Sequence, residues 1–310
     1  MVDTVVIGGG PAGLSAALLL GRSRRSVLLL DDGQARHLVS HASHSFLTRD
    51  GTPPHELRRI GREQLATYPS VTVRTESVAD VAATENGFLV SLGNGESVES
   101  RTIVIATGVA DLLPEIEGLD AVWGTSAFSC PYCDGWEVRD RPLGVIASGE
   151  AARHFVPLVR QWSRDLVLLT DGPADLGSDD RALLAALDVP ILEEPIARLE
   201  QRGGMLERVV FASGETLSRS ALFIRTTSLP RTDLAVKLGC ELTDYGPVKG
   251  LIKVDESGQT TVPGVYAAGD VTPQMPQIAL SVAAGTWVGA MINQALVLRD
   301  LPQVRAEHAA

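Results

Sequence analysis

The first 31 residues constrain the fold more than any other stretch. A short β-branched run, Thr4 to Ile7, leads into Gly8-Gly9-Gly10-Pro11-Ala12-Gly13, then a leucine-rich helical segment. A second apolar run, Val27 to Leu30, ends at Asp31. Strand, glycine turn, helix, strand and acid in that order make a dinucleotide-binding unit. The spacing from Gly8 to Asp31, 31 − 8 = 23 residues, is close to the ~20 such a unit uses. Gly8 permits the tight turn, and Gly10 lets the backbone approach a pyrophosphate with no Cβ in the way. Gly13 lets the helix pack on the strand. Pro11 and Ala12 open that helix, whose unpaired N–H groups and positive dipole end attract phosphate. Asp31 is placed to accept hydrogen bonds from ribose hydroxyls.

A second unit of the same plan starts at Val145-Ile146 and reads Ala147-Ser148-Gly149-Glu150-Ala151-Ala152. Gly149 keeps the close-approach position and Ala152 the helix-packing position. The turn glycine has become Ala147, which is unfavourable where φ must be positive. The next strand, Leu166 to Thr170, leads into Asp171-Gly172-Pro173-Ala174-Asp175, with no arginine before Arg181. Asp171 repels a 2′-phosphate, although it suits a free ribose hydroxyl. NAD(P)H binding at this second site is therefore doubtful. The expected fold is α/β, with two Rossmann-like, doubly wound nucleotide-binding domains.

The 310 residues suffice for two domains, and 45 % apolar content supports real cores. A net charge of −11 argues against a nucleic-acid partner or an anionic membrane surface. No basic stretch precedes the N-terminal apolar run, so no signal peptide is read there and a cytoplasmic protein is expected. Ile278 to Leu298 is uncharged and long enough to span a bilayer. Ser281, Gly285, Asn293 and Gln294 interrupt it, so a buried helix is expected instead. The tail from Arg305 to Ala310 reads as mobile.

Three cysteines do not make a disulfide scaffold. Cys130 and Cys133 form a C-x-x-C pair with Asp134 directly after it. Such a pair can hold a metal, close a structural disulfide, or cycle between dithiol and disulfide. Zinc would want two further Cys or His ligands, and no second C-x-x-C exists, so no metal is expected. At a helix start a thiolate is stabilised, and Asp134 can give or take the proton when sulfur leaves or attacks. Cys240 reads as a buried small hydrophobe.

Two further segments point to a family. Arg101 to Gly108, ending Ala106-Thr107-Gly108, and Thr260 to Asp270, ending Gly269-Asp270, resemble the FAD-binding signatures of the pyridine nucleotide-disulfide oxidoreductases. The position of Cys130 and Cys133, after the Ala-Thr-Gly segment, narrows the resemblance to low-molecular-weight thioredoxin reductases. It covers essentially the whole chain.

The resemblance implies FAD, a homodimer, and Asp270 bonded to the ribityl chain. It puts Gln277 and Ile278 near the isoalloxazine, Cys133 nearer the flavin, and Cys130 in exchange with substrate. The FAD domain would comprise residues 1–112 and 244–310, interrupted by an NAD(P)-type domain at 113–243 that carries the cysteines, with Gly- and Pro-containing crossovers near residues 114–118 and 243–250. Thr227 departs from the family, where a glycine is usual.

The degenerate second site and the run from Cys130 to Glu137 resemble the dithiol oxidases of gliotoxin and holomycin biosynthesis. Three readings stand: an FAD-dependent oxidase of a small dithiol, a disulfide reductase driven by NADH, NADPH or another donor, and a flavin–thiol redox sensor. The partner is accordingly a small dithiol or disulfide, or a thioredoxin-like protein.

Overall fold

The structure is a computed structural model that describes residues 1–307, with side chains through Leu301. The last three residues of the tail read as mobile lie outside the described residues. The chain divides into two compact units. The first comprises Met1–Leu38, Pro54–Asp111 and the chain from Ser228 onward; the second comprises Val39–Pro53 and Leu112–Thr227.

In the first unit the chain forms β1 (Val2–Ile7), α1 (Pro11–Arg22), β2 (Val27–Leu30), α2 (Pro54–Leu65), β3 (Val71–Arg74), β4 (Val78–Thr84), β5 (Gly87–Leu92), β6 (Ser97–Ile105) and β7 (Val109–Leu112). The second unit adds α3 (Leu119–Val122), β8 (Ala127–Phe128), α4 (Pro131–Asp134), β9 (Leu143–Ile146), α5 (Gly149–Val159), β10 (Leu166–Leu169), α6 (Ser178–Ala186) and β11 (Ile191–Leu192). It continues with β12 (Ile196–Arg202), β13 (Met205–Phe211), β14 (Thr216–Ser218) and β15 (Ala221–Ile224). On the return come β16 (Thr227–Pro230), α7 (Leu234–Lys237), β17 (Leu242–Tyr245), β18 (Val248–Ile252), β19 (Val265–Ala267) and α8 (Ile278–Glu307).

The main sheet of the first unit runs β3-β2-β1-β6-β5-β4, with β19 also paired to β6. Strands β3, β2, β1, β6 and β19 are parallel, and β1 and β2 are buried throughout or nearly so, as a sheet covered on both faces requires. Chain order reverses between β1 and β6, so a switch point opens at their carboxyl ends, where Gly8 and Ala106 stand. The second unit repeats the plan with the parallel order β11-β10-β9-β15-β8. Its switch point lies between β9 and β15, beside Ala147.

The uncharged run forms the helix α8, apolar and long enough to cross a membrane. One face packs along α1, but only 33 % of its apolar stretch is buried, less than the buried helix expected: a Cβ on Gly285 would stand 2.0 Å from the Ala12 carbonyl oxygen, and one on Gly289 would stand 3.0 Å from that of Ala16. Small residues let the two backbones touch.

Two boundaries differ from the sequence reading. The chain rejoins the first unit at Ser228 rather than near residue 244. The Gly- and Pro-containing stretch read as a crossover is the turn between the antiparallel strands β17 and β18, and β16 is already paired to β18. Residues Val39–Pro53 leave the first unit altogether, an excursion with no compositional mark.

Candidate flavin and disulfide sites

In the first unit Gly8 has φ +110°, and a Cβ there would stand 2.3 Å from the Ala106 carbonyl oxygen. A Cβ on Gly13 would stand 1.9 Å from the Gly8 carbonyl oxygen. Both positions are closed to any larger residue. Gly10 differs: a Cβ there would meet no chain atom within 4 Å, so the turn opens onto free space where a pyrophosphate would lie. Pro11 is the first residue of α1. Ala12 is buried against Gly269 and Gly285, which makes it a packing residue between α1 and α8. Gly108 and Gly269 both take positive φ, and Gln277 and Ile278 stand at the start of α8, partly buried.

Asp31 is 4 % exposed and already engaged. It accepts from Arg58 Nη2 at 2.6 Å, from Arg62, and from the Gly33 N–H at 3.1 Å. A carboxylate offers about four acceptor positions, so one remains for a ribose hydroxyl. Burial alone would raise its pKa, but Gly33 and the two arginines hold it below the ordinary value. Several buried polar atoms of this unit have no partner within the chain: Thr107 Oγ1, His37 Nε2, Arg58 Nε, Arg62 Nε and Gln274 Nε2. Burial, and secondarily Arg58, pushes His37 down to about 4, so it is neutral at pH 7. Buried polar atoms without partners are costly, and a polar ligand at this edge relieves them. The open space at Gly10 and these unpaired groups fit a flavin dinucleotide.

In the second unit Cys130 and Cys133 form a disulfide with Cα atoms 5.3 Å apart. The helix carrying them is a single turn, shorter than the thiolate argument assumed. Few aligned peptide dipoles stand behind the sulfurs, so the macrodipole contribution is small. The acid–base group is better formed. Burial, reinforced by Glu137 and opposed by His44, raises Asp134 from 3.8 to about 7. At neutral pH it is therefore poised to take or give a proton.

His44 reaches this group from the Val39–Pro53 excursion. Its Nε2 lies 3.4 Å from Glu137 Oε1 and its Nδ1 lies 3.6 Å from Asp50 Oδ1. Sequence reading missed His44 because nothing local links it to Cys130, and it gave Glu137 no role although that residue lies three positions after Asp134. Around the pair, Tyr132 and Trp136 are exposed, and Tyr132 meets Trp162 edge-on at 5.6 Å. Arg139 stacks over Trp136 at 3.8 Å. Cys240 is buried and bonds Thr260 Oγ1 at 3.4 Å. His37 and His41 stand four residues apart, yet among the described residues no group of three His, Cys, Asp or Glu could hold a metal ion.

The second glycine turn is built differently. Ala147 has no positive φ, so the strain expected there does not arise. The loop after β10 folds back instead, and the N–H of Gly149 donates to the Ala174 carbonyl at 2.8 Å. Ala174 is fully buried, and its own N–H donates to Glu193 at 3.1 Å. Asp171 Oδ1 accepts from the Ile196 N–H at 2.6 Å, and Arg181 pairs with Glu193 at 2.7 Å. The backbone donor that would meet a pyrophosphate is thus occupied from within. Arg181, the first arginine after β10, is occupied too.

A dinucleotide-type sheet with a glycine turn at its switch point, and a C-x-x-C disulfide beside a half-protonated carboxyl, together define a flavin-linked disulfide oxidoreductase. Residues 2–285 match the pyridine nucleotide-disulphide oxidoreductase family, and the chain belongs to it. It is an FAD-dependent disulfide oxidoreductase of the thioredoxin reductase-like type. It is 31 % identical to the thioredoxin reductase sirT of Leptosphaeria maculans, over 94 % of this chain and 93 % of that one. Among solved structures, HlmI has a TM-score of 0.93 and 37 % identity, covering 99 % of this chain and 96 % of its own. An oxidoreductase from Agrobacterium tumefaciens has a TM-score of 0.90 and 34 % identity, covering 96 % and 99 %.

Proposed function

We propose that this enzyme oxidises a small dithiol to its disulfide and delivers the electrons to oxygen, releasing hydrogen peroxide. The observation that carries this reading is the second glycine turn, where Ala174 holds the Gly149 N–H that a nicotinamide dinucleotide would need. Gly8, Gly10, Pro11, Ala12, Gly13 and Asp31 would hold the adenosine and pyrophosphate end of FAD. Ala106, Thr107, Gly108, Gly269, Asp270, Gln277 and Ile278 would hold the rest. FAD held there would supply the two-electron acceptor needed to restore the Cys130–Cys133 disulfide, with oxygen as the final oxidant.

The chain's own residues carry the thiol chemistry. A substrate thiolate attacks Cys130 Sγ, the bond to Cys133 breaks, and Cys133 leaves as thiolate. Asp134, ionised in part at neutral pH, takes the proton of the second substrate thiol. That sulfur then attacks the first substrate sulfur, the mixed disulfide breaks, and Cys130 is released. Exposed Tyr132 and Trp136 give a small apolar dithiol a surface beside the sulfurs.

A second reading, reduction of a disulfide such as that of a thioredoxin-like protein, is favoured by the names of relatives such as sirT. We assign the enzyme to the cytoplasm, consistent with its low cysteine content, and read it as a homodimer. The exposed Leu280, Trp287, Val297 and Leu298 of α8 support a subunit contact.

Anaerobic stopped-flow absorbance with NADPH, NADH and dithiothreitol in turn tests the proposal. The dithiol should bleach the flavin, and admitted oxygen should restore it with one peroxide per dithiol. Fast bleaching by micromolar NADPH would establish the reductase instead.

A further inference from the structure

Arg36, Asp111, Ser228 and Asp270 share no motif, yet their side chains meet. Arg36 lies in the 3₁₀ turn Arg36–Val39, where the chain leaves the first unit. Asp111 is the last residue before the chain leaves again, and Ser228 is the first on its return. The Arg36 guanidinium forks onto Asp111, with Nε 2.8 Å from Oδ2 and Nη2 2.5 Å from Oδ1. Ser228 Oγ donates to Asp111 Oδ1 at 2.7 Å. The third nitrogen of Arg36, Nη1, lies 3.6 Å from Asp270 Oδ2. The other oxygen of Asp270 accepts from Ser281 Oγ of α8 at 3.1 Å. All of these side chains belong to the first unit.

We infer that Arg36 is a positioning residue for the flavin site. It holds the Asp270 carboxylate and at the same time clasps three of the points where the chain enters or leaves this unit. The inference rests on the assignment of Asp270 to FAD.

Only an arginine can do both at once, because its planar fork satisfies one carboxylate while a third donor faces another. Side-chain exposure is 23 % for Arg36, 8 % for Asp111 and 20 % for Asp270, so water screens these charges weakly. Burial favours the neutral form of Asp270 and outweighs the rest, so its pKa stands above the ordinary carboxylate value; Arg36 and then the Ser281 hydroxyl oppose that rise, and Asp111 adds to it. These are the groups that face Asp270. Without Arg36, two carboxylates would share a half-dry space with no cation, and Asp270 would take up a proton. A protonated Asp270 is no longer a full acceptor for a sugar hydroxyl. A displacement of either crossover strand would also be transmitted to Asp270 through the same guanidinium.

The test uses the FAD-loaded protein and its Arg36→Met, Arg36→Lys, Asp111→Asn and Asp270→Asn variants. FAD dissociation is measured by flavin fluorescence from pH 6 to 9, and amide hydrogen exchange is measured at residues 36–39, 109–112 and 228–230. Truncating one partner of a buried charge pair costs enough that R36M should release FAD about 10–100-fold more readily at pH 7. Its FAD affinity should recover as pH rises and Asp270 ionises, with the transition at higher pH than in the parent, because Arg36 no longer opposes the effect of burial.

R36K should bring the pH profile back toward the parent's but leave the three crossover segments exchanging faster, because an ammonium cannot fork. D111N should also loosen the crossovers while FAD stays bound, since Arg36 is left to Asp270. If R36M does not fold, the last two variants carry the test. Parental FAD affinity in R36M with the parent's pH profile, alongside FAD loss in D270N, would overturn the inference alone. Unchanged FAD affinity in D270N would remove the assignment of Asp270 itself. Unaltered exchange in both R36K and D111N would remove the clasp.

Discussion

Asp134→Asn should make the enzyme slower and, above pH 7, more stable. Asp134 titrates at about 7 instead of 3.8, chiefly because burial disfavours its charge. A carboxyl with a raised folded pKa stabilises the fold while it is neutral. That stability is fully present below pH 3.8 and is lost as pH rises through 7. The shift of about 3 units, at 1.36 kcal/mol each, sets an upper bound of about 4 kcal/mol. Partial solvent access to Asp134 reduces this to about 2–4 kcal/mol. Asparagine never ionises, so the stability gap between variant and parent should widen by that amount from pH 4 to pH 8. Urea unfolding of both holoproteins across that range measures the gap, and unrelated titrations cancel in the difference. Turnover should move the other way, falling about 10²–10⁴-fold because no group remains to take the proton of the second thiol. The limb of the parent's pH–rate profile near pH 7 should disappear with it. A limb near pH 4, or a variant less stable than the parent at pH 8, would show that Asp134 is an ordinary solvated carboxylate and refute the reasoning.

Three further outcomes follow from the same geometry. Gly10→Val should fold normally yet purify colourless, because its side chain enters space the chain leaves open but FAD needs; full flavin content by absorbance would contradict this. Cys130→Ser should leave a free thiolate at Cys133 and a long-wavelength absorbance with oxidised flavin, whereas Cys133→Ser should lack that band; a reversed pattern would exchange the roles of the two sulfurs. NADPH and NADH should both bind poorly by calorimetry, NADPH worse: each charge-assisted hydrogen bond to phosphate that is missing costs roughly 1.5–3 kcal/mol, so two imply about 10²–10⁴-fold weaker binding.

What the sequence made legible is what local chemistry dictates. The turn from Gly8 to Gly13 lies within six consecutive residues, and its glycines follow from sterics that no distant contact can change. Side-chain partners brought in by docking left no such mark. Arg58 and Arg62 reach Asp31 only because α2 lies against the end of β2, and His44 reaches the neighbourhood of Cys130 only through the Val39–Pro53 excursion. The stretch Tyr245-Gly246-Pro247-Val248 was misread because turn residues look the same in a linker and a hairpin.

The two glycine turns sharpen the point. From sequence, Ala147 and Asp171 argued against NADPH through backbone strain and charge repulsion. The fold has no positive φ at Ala147, and it uses one Asp171 oxygen to hold Ile196. The obstacle is the Ala174 carbonyl on the Gly149 N–H. One N–H serves one strong acceptor, so that carbonyl and a pyrophosphate exclude each other. A dinucleotide must therefore unmake the bond and displace buried Ala174 before it gains the Gly149 N–H. Restoring glycine at position 147 would not remove that cost, so Ala147→Gly alone should leave NADPH binding weak. Recovered NADPH binding in this variant would place the defect back in the turn.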